Sequence, residues 1–248
     1  MGVIPAAGKG LRLGLPYPKE LYPIISGGRY KPVAEHILEN MVAAGVEHVV
    51  FVINETKHQL IGYFGDGARF GCRISYAYQD PDRKGQGGSA GLAEALDAAY
   101  HLYHGRQVVF GMADTIITPL DAFKPLMADP EVDVHLGLFH TDTPEMMAPV
   151  DHDGAGGVRA IHDKQAPSGL QDTWGLIVWG PRFSEYLHER VASDGAADFA
   201  TILNGALAEG FAFRATKLEG SSYTDVGTYE AIELLERGQH QQPGGDPA

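Results

Sequence analysis

Apolar positions in this chain fall into short runs that stop at glycines, and these alternate with amphipathic stretches. Residues 3–7 form one such run, ended by Gly8, and read as a buried strand. A second apolar run follows Lys19. Residues 32–45 read as a helix: Pro32 suits its first position, Val33, Ile37, Leu38, Met41 and Val42 share a face, and Gly45 suits its end. Residues 46–54 read as a buried strand. Residues 57–64 read as a short helix closed by Gly65, Asp66 and Gly67. Residues 73–79 alternate as a strand does, 89–103 form an Ala/Leu-rich helix, and 107–111 form another strand. This order, β-loop-α-β-α-β-α-β, predicts a parallel, doubly wound sheet with ligands at the carboxyl ends of its strands.

Beyond residue 130 the alternation lapses. Residues 132–139, 158–163, 173–179, 211–217 and 223–226 read as strands, and 181–192, 198–209 and 228–237 as helices. Residues 140–157 are a polar, Gly/Pro-containing excursion. The expected fold is therefore α/β: a Rossmann-like, doubly wound, mixed but mainly parallel sheet with a smaller lobe. The expected organisation is one domain over residues 1–237 and a disordered tail over 238–248, which lacks apolar anchors. Trp174 and Trp179 stand an odd number of residues apart on one strand, which predicts that they point to opposite faces.

The 248 residues carry a net charge of −13, so there is no basic surplus to neutralise nucleic-acid or membrane phosphates, and neither partner is expected. The single cysteine, Cys72, excludes an internal disulfide and fits a reducing compartment. No apolar run approaches the about 18 residues of a membrane span, and the expected location is cytoplasmic. Against this acidic background the cations of one glycine-rich loop stand out. Gly8, Gly10 and Gly14 surround Lys9 and Arg12, and Lys19 follows Pro18. Glycines let backbone N–H groups approach an anion, and fixed cations complete a phosphate cradle. The loop is not a P-loop, because no Gly-Lys-Ser/Thr stands at the required spacing. Nor is it a dinucleotide fingerprint: Arg12 falls where small residues are needed, and Pro16 and Pro18 forbid a helix start. A surface loop with ordinary cations and a nucleoside triphosphate cradle both remain open from residue types alone.

Longer motifs carry a resemblance. Ala6-Ala7-Gly8-Lys9-Gly10-Leu11-Arg12-Leu13 followed by Pro18-Lys19-Glu20-Leu21 resembles the signature of the sugar-1-phosphate nucleotidyltransferases, the nucleotide-sugar pyrophosphorylases. Tyr63-Phe64-Gly65-Asp66-Gly67 and Ile74-Ser75-Tyr76-Ala77-Tyr78-Gln79 look like the glucose-1-phosphate thymidylyltransferase branch. Gly111-Met112-Ala113-Asp114, Asp163-Lys164, Trp174-Gly175-Leu176-Ile177 and Thr224-Asp225-Val226-Gly227 follow in the family's order.

The resemblance implies the nucleotide-diphospho-sugar transferase fold, with residues 1–130 as the nucleotide-binding half and 131–237 as the acceptor-binding half. It implies a transfer in which an acceptor phosphate oxygen attacks the α-phosphorus of a nucleoside triphosphate and pyrophosphate leaves. Arg12 and Lys19 would clamp the triphosphate and Lys164 the acceptor phosphate. Ala6, Ala7, Gly8 and Gly10 would cradle phosphates. Gln79, Gly87 and Gly88 would meet the base, and Asp163, Trp174 and Gly175 the acceptor. Asp114 and Asp225 would hold Mg²⁺, which needs only one or two carboxylates when phosphates supply the rest. Taken without the resemblance, Asp114 also suits a helix N-cap and Asp225 a turn.

Six residues separate Arg12 from Lys19, a spacing that looks more like cytidylyltransferases, and Met147-Ala148-Pro149-Val150 and Gln165 depart from the sugar branch. The base is therefore open among dTTP, UTP and CTP. The acceptor is open among sugar 1-phosphates, cyclitol phosphates, phosphocholine and phosphonates. A binding protein without catalysis is a third reading, and a homo-oligomer is compatible with all three. The histidines at 58, 101, 104, 140, 152 and 162 show no metal-ligand spacing coupled to cysteine.

Overall fold

The computed structural model describes residues 1–8, 10, 13–26, 28–80, 91–129, 131–163, 167, 169–194 and 198–240. In chain order the strands and helices are β1 (Gly2–Pro5), β2 (Pro23–Ser26), β3 (Arg29–Pro32), α1 (Val33–Ala43), β4 (His48–Ile53), α2 (His58–Phe64), β5 (Arg73–Tyr78), α3 (Leu92–Ala98), α4 (Tyr100–Tyr103), β6 (Val108–Gly111) and β7 (Thr115–Thr118). They continue with β8 (Val134–His140), β9 (Val150–His152), β10 (Val158–Ile161), β11 (Asp172–Trp179), α5 (Pro181–Asp194), α6 (Phe199–Ala208), β12 (Phe213–Lys217), β13 (Ser222–Asp225) and α7 (Tyr229–His240). Seven strands form one sheet in the order β12-β8-β11-β6-β1-β4-β5. Within it β1, β4, β5 and β6 are parallel neighbours, β12 runs parallel to β8, and β11 is antiparallel to both β6 and β8.

Period-two patterning builds a core on each face of this sheet. Val3, Val50, Val52, Phe110 and Ile177 face one side, where α3, α5 and α6 contribute Leu96, Phe183, Leu187, Ile202 and Leu203. Ile4, Val49, Phe51, Ile53, Leu176 and Val178 face the other, against Ile37, Leu38 and Met41 of α1 and Leu60 and Phe64 of α2. A third, small cluster of Leu13, Ile24, Val33, Val226 and Ile232 ties the loop after β1 to α7. Among the described residues no helix is long and apolar enough to cross a membrane.

Three expectations change. The predicted helix at 89–103 appears as α3 and α4, divided at Ala99, with residues 89 and 90 outside the described residues. The last helix runs to His240, past its predicted end at 237 and across Gly238, since one glycine costs a helix only about 1 kcal/mol. Residues 241–248 of the expected tail lie outside the described residues. Trp174 and Trp179 do not point to opposite faces. Both rings pack on Phe110, with centroids 6.0 and 5.7 Å away. The cause is a bulge: Trp174 pairs with Leu138 and Leu176 with Gly137, so Gly175 is an extra residue that breaks the alternation.

Candidate active site

The carboxyl ends of β1, β5 and β6 open onto a cleft of about 170 Å³. Ala6, Ala7 and Gly8 form one wall, Gln79 and Gly91 another, and Lys19, Glu20 and Asp114 the polar rim. Leu92, Ala95, Met112 and Ala113 supply the apolar floor. Small residues at the end of β1 leave the backbone open to the cleft, and that backbone is tightly held. Ala6 N–H donates to Val52 O at 2.8 Å, and Asn54 Nδ2 donates to Ala7 O at 2.5 Å. Asn54 is itself locked by accepting from the Thr56 N–H and hydroxyl, at 3.0 and 2.8 Å. The far end of the loop is anchored too, since the Tyr229 hydroxyl donates to Leu13 O. Gly10 holds φ +62°, a region that a side chain disfavours.

Asp114 lies three residues past the end of β6, immediately before β7, and is only 8% exposed. The antiparallel ribbon of β7 and β13 sets Thr115 opposite Asp225, and Val226 N–H donates to Asp114 O at 2.8 Å. Two carboxylates from opposite halves of the chain are thereby fixed on one ribbon end. Asp225 Oδ1 accepts from Gly227 N–H at 2.6 Å. Lys19 forms an ion pair with Asp114. Burial works to lower the Lys19 ammonium, but the Asp114 charge and hydrogen bond, aided by Glu20 and Asp225, more than offset it and the net shift is upward. Tyr223 lies two residues before Asp225. Burial first, then the charges of Asp225 and Asp114, push its phenol up, so it stays neutral beside them.

Sequence-derived candidates therefore divide. Ala6, Ala7, Gly8, Lys19, Gln79 and Asp114 share the cleft, and Gly10 sits beside Lys19, since a Cβ on it would lie 3.6 Å from Lys19 Cγ. Gln79 donates through Nε2 to Gly91 O at 3.4 Å. Asp225 pairs with Thr115 on the ribbon, one position along from Asp114. Asp163 is exposed just past β10. Trp174 packs on Phe110 and Phe199, and its buried indole N–H has no hydrogen-bond partner among the described residues. A Cβ on Gly175 would lie 2.5 Å from the Tyr223 ring and 2.8 Å from Phe139. Arg12, Lys164, Gly87 and Gly88 lie outside the described residues.

Sequence reasoning passed over Asn54 and the buried Glu20–Lys57 pair, in which Lys57 Nζ lies 3.0 and 2.8 Å from the two Glu20 carboxylate oxygens. Glu20 stood inside the quoted Pro18-Lys19-Glu20-Leu21 motif. Lys57, at a helix start, carried the pattern of a solvated lysine.

Among the described residues no group of three or more His, Cys, Asp or Glu side chains is arranged to hold a metal ion. Two carboxylates with a cation already resting on one of them still fit a hard divalent ion whose other ligands are substrate phosphates.

An open α/β sheet with a cleft at the carboxyl ends of its strands, bearing a lysine and two carboxylates, defines a ligand-binding α/β class of protein. Residues 2–166 match the MobA-like NTP transferase domain, and the chain belongs to that family. It is 27% identical over 184 residues to a glucose-1-phosphate thymidylyltransferase of Streptomyces griseus, covering 71% of this chain and 46% of that protein. Against a UTP–glucose-1-phosphate uridylyltransferase of Synechocystis it is again 27% identical over 184 residues, covering 71% and 40%. The chain thus spans less than half the length of these curated relatives. In fold it is similar to a UDP-glucose pyrophosphorylase solved with UDP-glucose, at a TM-score of 0.76 and 19% identity, covering 98% of each chain. A Bacillus anthracis structure assigned as a glucose-1-phosphate thymidylyltransferase gives a TM-score of 0.81 at 18% identity, covering 99% of this chain and 97% of that one. The fold expected from sequence is the one observed.

Proposed function

We propose that the protein transfers a nucleotidyl group from a nucleoside triphosphate to a sugar 1-phosphate, forming a nucleotide sugar and releasing pyrophosphate. The observation that carries this reading is the Lys19–Asp114 pair in the cleft lined by Ala6, Ala7, Gly8 and Gln79, with Asp225 held opposite Thr115 on the adjoining ribbon and its charge acting on Lys19. An oxygen of the acceptor phosphate forms the new P–O bond at the α-phosphorus, and the bond to the β-phosphate breaks. Such a displacement asks the protein mainly for alignment and for neutralisation of charge.

Backbone N–H groups of Ala7, Gly8 and Gly10 are assigned the phosphates, that of Ala6 being engaged by Val52 O, and Gln79 is assigned the base edge. Lys19, paired with Asp114 in the free protein, is assigned to the triphosphate, and Asp114 and Asp225 would hold Mg²⁺. The metal would neutralise the phosphates and polarise the phosphorus under attack. Arg12 is assigned to the triphosphate together with Lys19, and Lys164 with Asp163 to the acceptor phosphate, on the family's motifs alone. Trp174 and Gly175 are assigned to the acceptor side on the same basis.

Incubation with α-labelled dTTP, UTP or CTP, Mg²⁺ and, in separate arms, glucose 1-phosphate, phosphocholine or a phosphonate tests this directly. A labelled nucleotide sugar is expected with one base strongly preferred. Label transfer with CTP alone, and only to a non-sugar phosphate or phosphonate, would replace this reading by a cytidylyltransferase.

A further inference from the structure

The Glu20–Lys57 pair is not used by the chemistry above, yet it sits inside the machinery. Glu20 follows Lys19 in the chain and lines the same cleft. An uncompensated carboxylate there would repel a triphosphate. Lys57 Nζ reaches both Glu20 oxygens, at 3.0 and 2.8 Å, and the two side chains are only 2% and 1% exposed. A Cβ on Gly10 would come within 3.9 Å of the same Nζ, so the pair lies close under the phosphate loop. The Lys57 backbone is fixed by its N–H bond to Asn54 O at 3.0 Å, and Asn54 holds Ala7. One short segment, residues 54–57, thus supports both the start of the loop and the turn that carries Lys19.

We propose that Lys57 is a positioning residue for the nucleotide: it cancels the Glu20 charge beneath the phosphate loop and, through Glu20, holds the Lys19 turn. The proposal rests on the nucleotidyl-transfer reading of the cleft. It makes the two substitutions differ in their effect on nucleotide KM. Lys57→Met leaves the Glu20 anion uncompensated, so KM for the Mg-nucleotide rises at least tenfold while KM for the acceptor stays within twofold. Glu20→Gln keeps the shape and an acceptor for Lys57 but removes the anion. Nucleotide KM then stays level or falls, and kcat drops several-fold as the Lys19 turn loosens.

Steady-state kinetics on variants shown by thermal melting to be folded read both numbers. A purely architectural pair would raise nucleotide KM in both variants, and that result overturns the proposal. If Lys57→Met does not fold, the neutral double variant E20Q/K57M carries the test. Nucleotide KM within threefold of wild type supports charge cancellation, and a tenfold rise overturns it. A wild-type chain that turns over no Mg-nucleotide would instead remove the underlying reading of the cleft, and this proposal with it.

Discussion

The two halves of the sheet treat their candidate residues differently. In the first half Ala6, Gln79 and Asp114 each stand just past the carboxyl end of β1, β5 or β6, and all three reach one cleft. In the second half Trp174 and Gly175 lie within β11, an antiparallel strand between two neighbours. There the side chains serve the sheet. Trp174 covers Phe110 and Phe199, and Gly175 makes room for Tyr223. Residues that leave the ends of parallel strands are free to meet a ligand, whereas residues inside a strand are committed to its two faces. The crossing point is β13, which comes from the second half but pairs with β7 and so brings Asp225 to the first half's site.

Substitutions in the two halves should fail in different ways. Asp114→Asn is expected to have the largest effect, lowering kcat about a thousandfold, roughly 4 kcal/mol, with little change in melting temperature. Pyrophosphate release beside a thermal melt measures both; near-normal turnover would take Asp114 out of the site. Lys19→Met should cost about a hundredfold in kcat/KM, because it removes one cation from the triphosphate. A loss confined to the acceptor KM would assign Lys19 to the wrong substrate.

Gly175→Ala should act instead on stability. Its Cβ would lie 2.5 Å from the Tyr223 ring, and such overpacking costs about 1–3 kcal/mol. A chain of this size should then melt several degrees lower; an unshifted melt would mean that the ribbon carrying Asp225 yields freely. Smallest is Gln79→Ala, expected to raise nucleotide KM about fivefold, roughly 1 kcal/mol, for one lost hydrogen bond. Acceptor KM should not move, and if it does, Gln79 belongs to the acceptor side.

Legibility followed the same division. Glycines, prolines and cations mark the loop after β1 because backbone conformation and charge are local properties. Asp114 is readable because it stands at the end of an apolar strand. The pairing of β7 with β13, across about a hundred residues, has no local signal in Thr115 or Tyr223. The bulge at Gly175 defeated strict alternation, since one extra residue turns Trp174 onto the face of Trp179. Lys57 and Glu20 were missed because a buried ion pair is a tertiary fact: each residue alone has the pattern of a solvated charge.

Asp114 and Asp225 are proposed to act together on a metal-bound triphosphate. Titrating Mg²⁺ into the pyrophosphate-release assay, for wild type and Asp225→Asn at saturating nucleotide, tests this most directly. Wild-type turnover should require Mg²⁺, and the variant should need at least about tenfold more for half-maximal rate while its kcat falls about a hundredfold. An unchanged Mg²⁺ titration in Asp225→Asn, or full wild-type turnover without a divalent ion, would contradict it.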